Sequence, residues 1–504
     1  MKRWFGNDQG ITWEVAPPIA YSPTGDNASP EHSTHPKVAL FISHGMGQQV
    51  PFETLELAVA GLVGYANSNG NQISTIRTRR VQIGELKTQR VEFDMRDAHG
   101  KDVEVHSYEG YWAPITEGAV SLRDVMKFLL FAGINGLKNT GWPCFKKPFE
   151  RWIFGRSVEF DSKHASAQLL ITLLVLLSLV VLNAVTTYVA VSKFFNPFGL
   201  NETVLAALTT VTGYYLLFTL IFGGLLWSQL KIKKWKKPPA QISGWRIFTG
   251  AVQIILWLWI GITILVGLLI SLLVTGCIRP ETFVSGCLAQ HGLTIWLLML
   301  VVSWKVRNLI VQYLGDVAAY IDSHSLDRFS NMRRDIKTTV FDLAKAVYTQ
   351  HYARIVMIGH SLGSVVTYDT LNALINHDEL NGNKLNVSRR TKLLLTFGSP
   401  LDKTAFIFAS QSNATSETRE ALAASVQPLI QKYDTYRDIK WINIYSPRDI
   451  VSGELNFYDD KVADGYSETR KVHNVIDEEA LIPLAAHNEY WDNPTLFRQL
   501  YENL

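Results

Sequence analysis

Ser361 lies in Ile355-Val356-Met357-Ile358-Gly359-His360-Ser361-Leu362-Gly363-Ser364, a Gly-x-Ser-x-Gly directly after an apolar run and directly before a helical pattern. A serine hydroxyl can serve as a nucleophile when it is lifted out on a tight strand-to-helix turn. Glycines two before and two after keep neighbouring atoms clear of that turn. The N–H of Leu362, at the helix start, can then face a developing oxyanion. The segment reads as a nucleophile elbow, against the alternative of a glycine-rich turn.

Such a serine needs a base, and the base needs an acid. On a strand–turn–helix scaffold the partners follow in the order Ser, Asp or Glu, His. The histidines after Ser361 are His377, His473 and His487. His377 falls at the end of the helix that follows the serine, far from the turn. His487, in a loop before the last helix, is the candidate base, with His473 as its rival. Asp449, at the exit of the apolar run 440–445, is the candidate acid; Asp402, after Gly398-Ser399-Pro400-Leu401, is the alternative. A second oxyanion donor is expected from Ser43-His44-Gly45-Met46-Gly47-Gln48, with Met46 preferred and Gly47 possible. His44 reads as a packing residue of that turn. No zinc or calcium spacing and no phosphate-cradling loop occurs, so no metal and no cofactor is expected.

These residues need a scaffold that brings positions 46, 361, 449 and 487 together. The run 37–43 reads as a buried parallel strand, followed by short strands at 72–84, 88–93 and 103–108. Beyond residue 305, strands at 354–358, 392–397 and 440–445 alternate with helical patterns at 364–376, 416–433 and 494–504. Alternation of this kind implies an α/β fold with a mostly parallel sheet and helices on both faces.

The intervening block differs. Of 504 residues, 18% are charged, against roughly 25% in an ordinary soluble protein, and 47% are apolar. With a net charge of +3 and three cysteines, the chain is neither a nucleic-acid binder nor a disulfide scaffold. Stretches 165–192, 203–230 and 247–278 carry no Asp, Glu, Lys or Arg, and 286–304 is a weaker fourth. Each is about as long as a bilayer crossing requires. The expected organisation is therefore 1–164, the first part of a hydrolase domain; 165–304, a block of four spans; and 305–504, its second part. Residues 1–8 contain no apolar signal-peptide core, so insertion is expected from the internal spans. Basic residues cluster before the first span, between the second and third (Lys231, Lys233, Lys234, Lys236, Lys237, Arg246) and after the fourth, which predicts cytoplasmic termini and a cytoplasmic hydrolase domain. Cys277 and Cys287 would share an outside loop and could pair there. The aromatic and basic residues of 123–160, Trp142, Phe145, Lys146, Lys147, Arg151 and Trp152 among them, suit the headgroup layer.

Five segments together resemble the intracellular phospholipase A1 family with a DDHD domain, an α/β-hydrolase of the lipase type. They are His44-Gly45-Met46-Gly47-Gln48, Gly359 to Val366, Phe397-Gly398-Ser399-Pro400-Leu401, Asn443 to Asp449, and His487-Asn488-Glu489-Tyr490-Trp491. The resemblance implies Ser361 as nucleophile with Asp449 and His487 completing the triad. The expected function is a membrane-embedded serine hydrolase acting on an acyl ester of a membrane lipid. A deacylase or thioesterase of lipid-anchored proteins, or an inactive membrane scaffold, are the alternatives.

Overall fold

The computed structural model describes residues 11–21, 35–46, 50–116, 121–140, 162–192, 200–236, 242–285, 294–304, 320, 327–405, 425–436, 438–449, 451–455, 458 and 472–504. Nine strands form one sheet: β1 (Thr12–Tyr21), β2 (Lys37–Ser43), β3 (Thr75–Ile83), β4 (Leu86–Arg96), β5 (Asp102–Gly110), β6 (Arg354–His360), β7 (Thr391–Phe397), β8 (Lys440–Tyr445) and β9 (His473–Ile476). Their spatial order is β1-β3-β4-β5-β2-β6-β7-β8-β9. Only β3/β4 and β4/β5 are antiparallel. The expected α/β class with a mostly parallel sheet is therefore what the chain adopts.

β2 shows why the sheet is buried on both sides. Val38, Leu40 and Ile42 join one core cluster and Ala39 and Phe41 the other, all fully buried, the two-residue alternation of a strand. Each large apolar side chain so buried contributes about 1.5–3 kcal/mol. Helices α1 (Glu53–Ser68) and α9 (Pro494–Glu502) supply the first cluster. Helices α7 (Asp327–Thr349) and α8 (Leu362–Leu380) supply the second. β2 pairs with β5 on one edge and β6 on the other, so strands from before and after the apolar block share one sheet.

Helix α2 (Leu122–Thr140) leads towards the apolar block. There α3 (Ser162–Ser192), α4 (Glu202–Lys236), α5 (Ser243–Val274) and α6 (Thr294–Trp304) pack around Leu182, Tyr215, Val266 and Trp296. Gly267 of α5 lies against Ser178 of α3, where a Cβ would come within 2.5 Å of Ser178 Oγ. The Tyr215 and Thr263 hydroxyls meet at 2.8 Å between α4 and α5.

The expectation of four spans is corrected here. Among the described residues two helices are long and apolar enough to cross a membrane, Glu202–Trp235 and Ser243–Val274. Leu170–Val185, within the 31-residue α3, and Thr294–Trp304, whose flanking residues lie outside the described residues, are shorter apolar stretches that do not meet this measure. Cys277 carries a free, exposed thiol; Cys287, Gly47 and the stretch 141–161 with Trp142, Phe145 and Trp152 lie outside the described residues.

Candidate active site

In register, Ser43 of β2 faces Gly359 of β6, so the two strands end side by side and their exit turns touch. Ser361 follows β6 with φ 55 and ψ −129, and α8 starts at the next residue. A non-glycine residue at positive φ costs roughly 1–3 kcal/mol and persists only where its surroundings impose it. They do so by close approach. A Cβ on Gly359 would lie 2.4 Å from Ser364 Cα, and one on Gly363 would lie 2.2 Å from the His44 carbonyl oxygen. Both glycines are required by backbone contact. The Ser361 N–H donates to the Phe397 carbonyl at 3.0 Å, which fixes the turn to the end of β7.

Ser361 Oγ lies 2.8 Å from His487 Nε2, and His487 Nδ1 lies 2.9 Å from Asp449 Oδ2. All three side chains are buried. Nδ1–H donates to the carboxylate, which leaves Nε2 free to accept the serine hydroxyl proton. The structure thus brings together the three residues singled out from the sequence. The rivals lie elsewhere: His473 opens β9 opposite Ile442, near the start of β8, whereas Asp449 follows that strand's far end. His377 sits in the last turn of α8.

Asp449 is held by more than the imidazole. Its Oδ1 accepts the Val451 N–H at 2.8 Å, and Oδ2 accepts the Tyr490 hydroxyl at 3.0 Å. Burial acts to raise its pKa, but His487 and the hydrogen bonds from Val451 and Ser452 outweigh it and hold the carboxyl well below the usual range. Tyr490 Oη in turn accepts the Ser446 N–H at 2.9 Å and meets Ser452 Oγ at 3.0 Å. Lys403 donates to the Val451 carbonyl at 2.9 Å. Burial lowers the Lys403 ammonium to about 8, against the opposing charges of Asp449 and Asp402.

Two further histidines frame the site. His360 Nε2–H donates to the His487 carbonyl at 3.0 Å and its ring stacks on Phe397. Burial first, then the neighbouring His487, takes it down to about 3, so it is neutral. His44 accepts the N–H groups of Trp112 and Ala113 on Nε2 at 2.9 and 3.2 Å, which leaves Nδ1–H to donate to the Gly45 carbonyl at 2.8 Å. Burial takes His44 to about 4. Because a trans peptide sets C=O and N–H on opposite sides, the Met46 N–H points away from the His44 ring. Gly45 itself lies against Ser361, where a Cβ would meet Ser361 Cβ at 2.8 Å. Leu362, first in α8, contributes one of the N–H groups that a helix start leaves without an intrahelical partner.

Tyr490 and His360 carry no role in the sequence motifs in which they stand; an aromatic hydroxyl or ring beside a candidate triad is the signal that marks them. Glu92, Glu104 and His106 come close enough for their ligand atoms to share an ion. However, Glu92 is paired with Arg79 and Arg90 at 2.5 and 2.6 Å, and a cation there would face the Arg90 charge. Comparison with known proteins gives no match among family models, curated proteins or solved structures.

Proposed function

We propose that the chain is a membrane-anchored serine hydrolase of the α/β-hydrolase type that cleaves an acyl ester of a membrane lipid. The observation that carries this reading is the buried relay from Ser361 Oγ through His487 to Asp449, with links of 2.8 and 2.9 Å, set at a strained strand-to-helix turn. The same motifs relate it most naturally to the DDHD-domain phospholipase A1 family.

In this reading Ser361 Oγ attacks the acyl carbonyl carbon while its proton passes to His487 Nε2. Asp449 keeps the imidazole in the correct tautomer and stabilises the imidazolium. The oxyanion takes hydrogen bonds from the Leu362 and Met46 N–H groups. As the tetrahedral intermediate collapses, the ester C–O bond breaks, His487 gives its proton to the leaving alcohol, and Ser361 carries the acyl group. Water, deprotonated by His487, then attacks that acyl ester, releasing the fatty acid and restoring the serine.

Support for a lipid substrate comes from α4 and α5, which place long apolar helices beside this site. Their paired ends carry Lys231, Lys233, Lys234 and Arg246, and Lys233 touches the domain at Glu489 with 2.9 Å between charges. Basic residues favour the cytoplasmic face, so the hydrolase domain belongs on that face. The test is labelling by a fluorophosphonate probe of the full chain in detergent and in native membranes. Wild type should label and Ser361→Ala should not; an unlabelled wild type would favour the scaffold alternative. Lipid profiles of cells with and without the protein would then name the ester.

A further inference from the structure

The basic end of the α4–α5 pair reaches both loops that carry the acid and the base. On α4, Lys233 Nζ lies 2.9 Å from Glu489 Oε1 and donates to the Glu479 carbonyl at 3.0 Å. Glu489 stands two residues after His487, is itself buried, and accepts the Ile482 N–H on Oε2 at 3.2 Å. The segment from Asp477 to Asn493 is a closed belt: Asp477 Oδ2 accepts from Asn493 Nδ2 at 2.9 Å, and its Oδ1 accepts the Glu479 N–H at 3.0 Å. Within that belt Asp477, Glu479 and Glu489 all lie close enough to Lys233 to feel its charge. One turn before Lys233, Gln229 is fully buried and donates to the Phe248 carbonyl of α5 at 3.2 Å. On α5, Gly250 lies against the Arg448 guanidinium, with an ideal Cβ 3.7 Å from Nη2; Arg448 immediately precedes Asp449.

We propose that Lys233 is a positioning residue for the hydrolase reaction: by pairing with Glu489 it holds the His487 segment in place, and so makes catalysis depend on the seating of the apolar hairpin. The inference rests on the serine-hydrolase reading given above. Its physical basis is an asymmetry. With Lys233 in place, its ammonium is the cation paired with the buried Glu489 carboxylate and also caps the Glu479 carbonyl. With Lys233 withdrawn, the buried Glu489 loses its counter-charge and its hydrogen-bond donor, and the segment it anchors is relieved by protonation of that carboxyl or by turning outward towards water. That motion displaces the His487 backbone, and an ångström of misplacement between Nε2 and Oγ is enough to slow acyl transfer by about 100-fold. Detachment of the hairpin from the domain would therefore switch the site off with no change to Ser361, His487 or Asp449.

The experiment compares wild type, Lys233→Met, Lys233→Arg, Glu489→Gln and Lys233→Met/Glu489→Gln as full chains in lipid nanodiscs, using a soluble short-chain ester and fluorophosphonate labelling. Lys233→Met should lower kcat by about 10- to 100-fold with KM little changed, at equal folded fraction. Lys233→Arg should stay within about threefold of wild type, and the double variant should recover part of the loss because residue 489 then carries no unpaired charge. Hydrogen exchange supplies a readout independent of activity: amides of 480–490 should exchange faster in Lys233→Met, with those of 355–358 unchanged. If Lys233→Met fails to fold, Glu489→Gln reads the same quantity and should lower kcat in the same direction. Wild-type labelling and unchanged exchange in Lys233→Met would overturn the inference and leave the hydrolase reading standing. A wild type that never labels would overturn the hydrolase reading, and the positioning role of Lys233 with it.

Discussion

Tyr490 donates its hydroxyl to Asp449 Oδ2 at 3.0 Å, the same oxygen that receives His487 Nδ1 at 2.9 Å. One carboxylate oxygen therefore serves both the base and a residue three positions after it, so the acid loop and the base loop are joined twice. Tyr490→Phe removes one of these links and leaves the Ser446 N–H without its acceptor. A hydrogen bond to a charged group contributes about 1.5–3 kcal/mol, so the free energy of unfolding should fall by an amount in that range and kcat by about 10-fold. Unchanged kcat would show that Tyr490 serves packing alone.

Ser361→Ala, Asp449→Ala and His487→Ala should each lower ester hydrolysis by about three to six orders of magnitude, because such residues act as a unit. His473→Ala should retain most activity, since His473 is an exposed residue at the start of β9. Initial rates on a short-chain ester decide the matter. Equal severity for His473 and His487 would reverse the base assignment.

Glu109 gives the fold a pH dependence. Its Oε2 accepts the N–H of Phe52, itself at φ 69, at 2.7 Å, and burial raises its carboxyl from 4.5 to about 7. A folded pKa above the unfolded one favours the protonated fold. The contribution is therefore complete below about pH 4.5 and is lost as pH rises through 7. At most this amounts to about 3 kcal/mol. Glu479, also raised to about 7 by burial and then by Asp477, acts in the same direction. Glu109→Gln should flatten the melting temperature between pH 5 and 8 and should be more stable than wild type at pH 8. A steeper slope in the variant would refute this.

The sidedness of the hairpin can be read from a native thiol. Cys277 is exposed just beyond α5, at the end opposite Arg246. In a Cys144→Ala/Cys287→Ala background, an impermeant maleimide should label Cys277 only from the face opposite the hydrolase domain. Labelling from the domain's own face would refute a membrane-crossing hairpin.

The site was more legible in the sequence than its surroundings. Gly359 and Gly363 are short-range requirements of one turn, and the order of Ser361, Asp449 and His487 follows from the strand order, so both could be read locally. β2, β6, β7 and β8 were equally plain, because strands buried on both faces are written as unbroken apolar runs. β1 was missed: it contains Pro17 and Pro18, is largely exposed, and breaks register between Ala16 and Ile19, as an edge strand can. β9 is only four residues long. Two of the four expected spans are found among the described residues, and residues 286–293 of the fourth lie outside them. Lys233–Glu489 was invisible, since 256 positions of chain separate two residues that only the tertiary fold brings together.

The central sheet is completed late. Translation delivers β2 with β5 as its neighbour, then the whole apolar block, and only afterwards β6. Until β6 emerges from the ribosome, β2 has one bare edge, and Ala39 and Phe41, which α7 and α8 will seal, lack their cover. On the membrane reading proposed above, delivery of the hairpin to the bilayer precedes closure of the domain. On that same reading, a half-made chain tethered there with an open strand edge is a natural client for holding chaperones, and truncation between α5 and β6 leaves the hairpin attached to a sheet that cannot close.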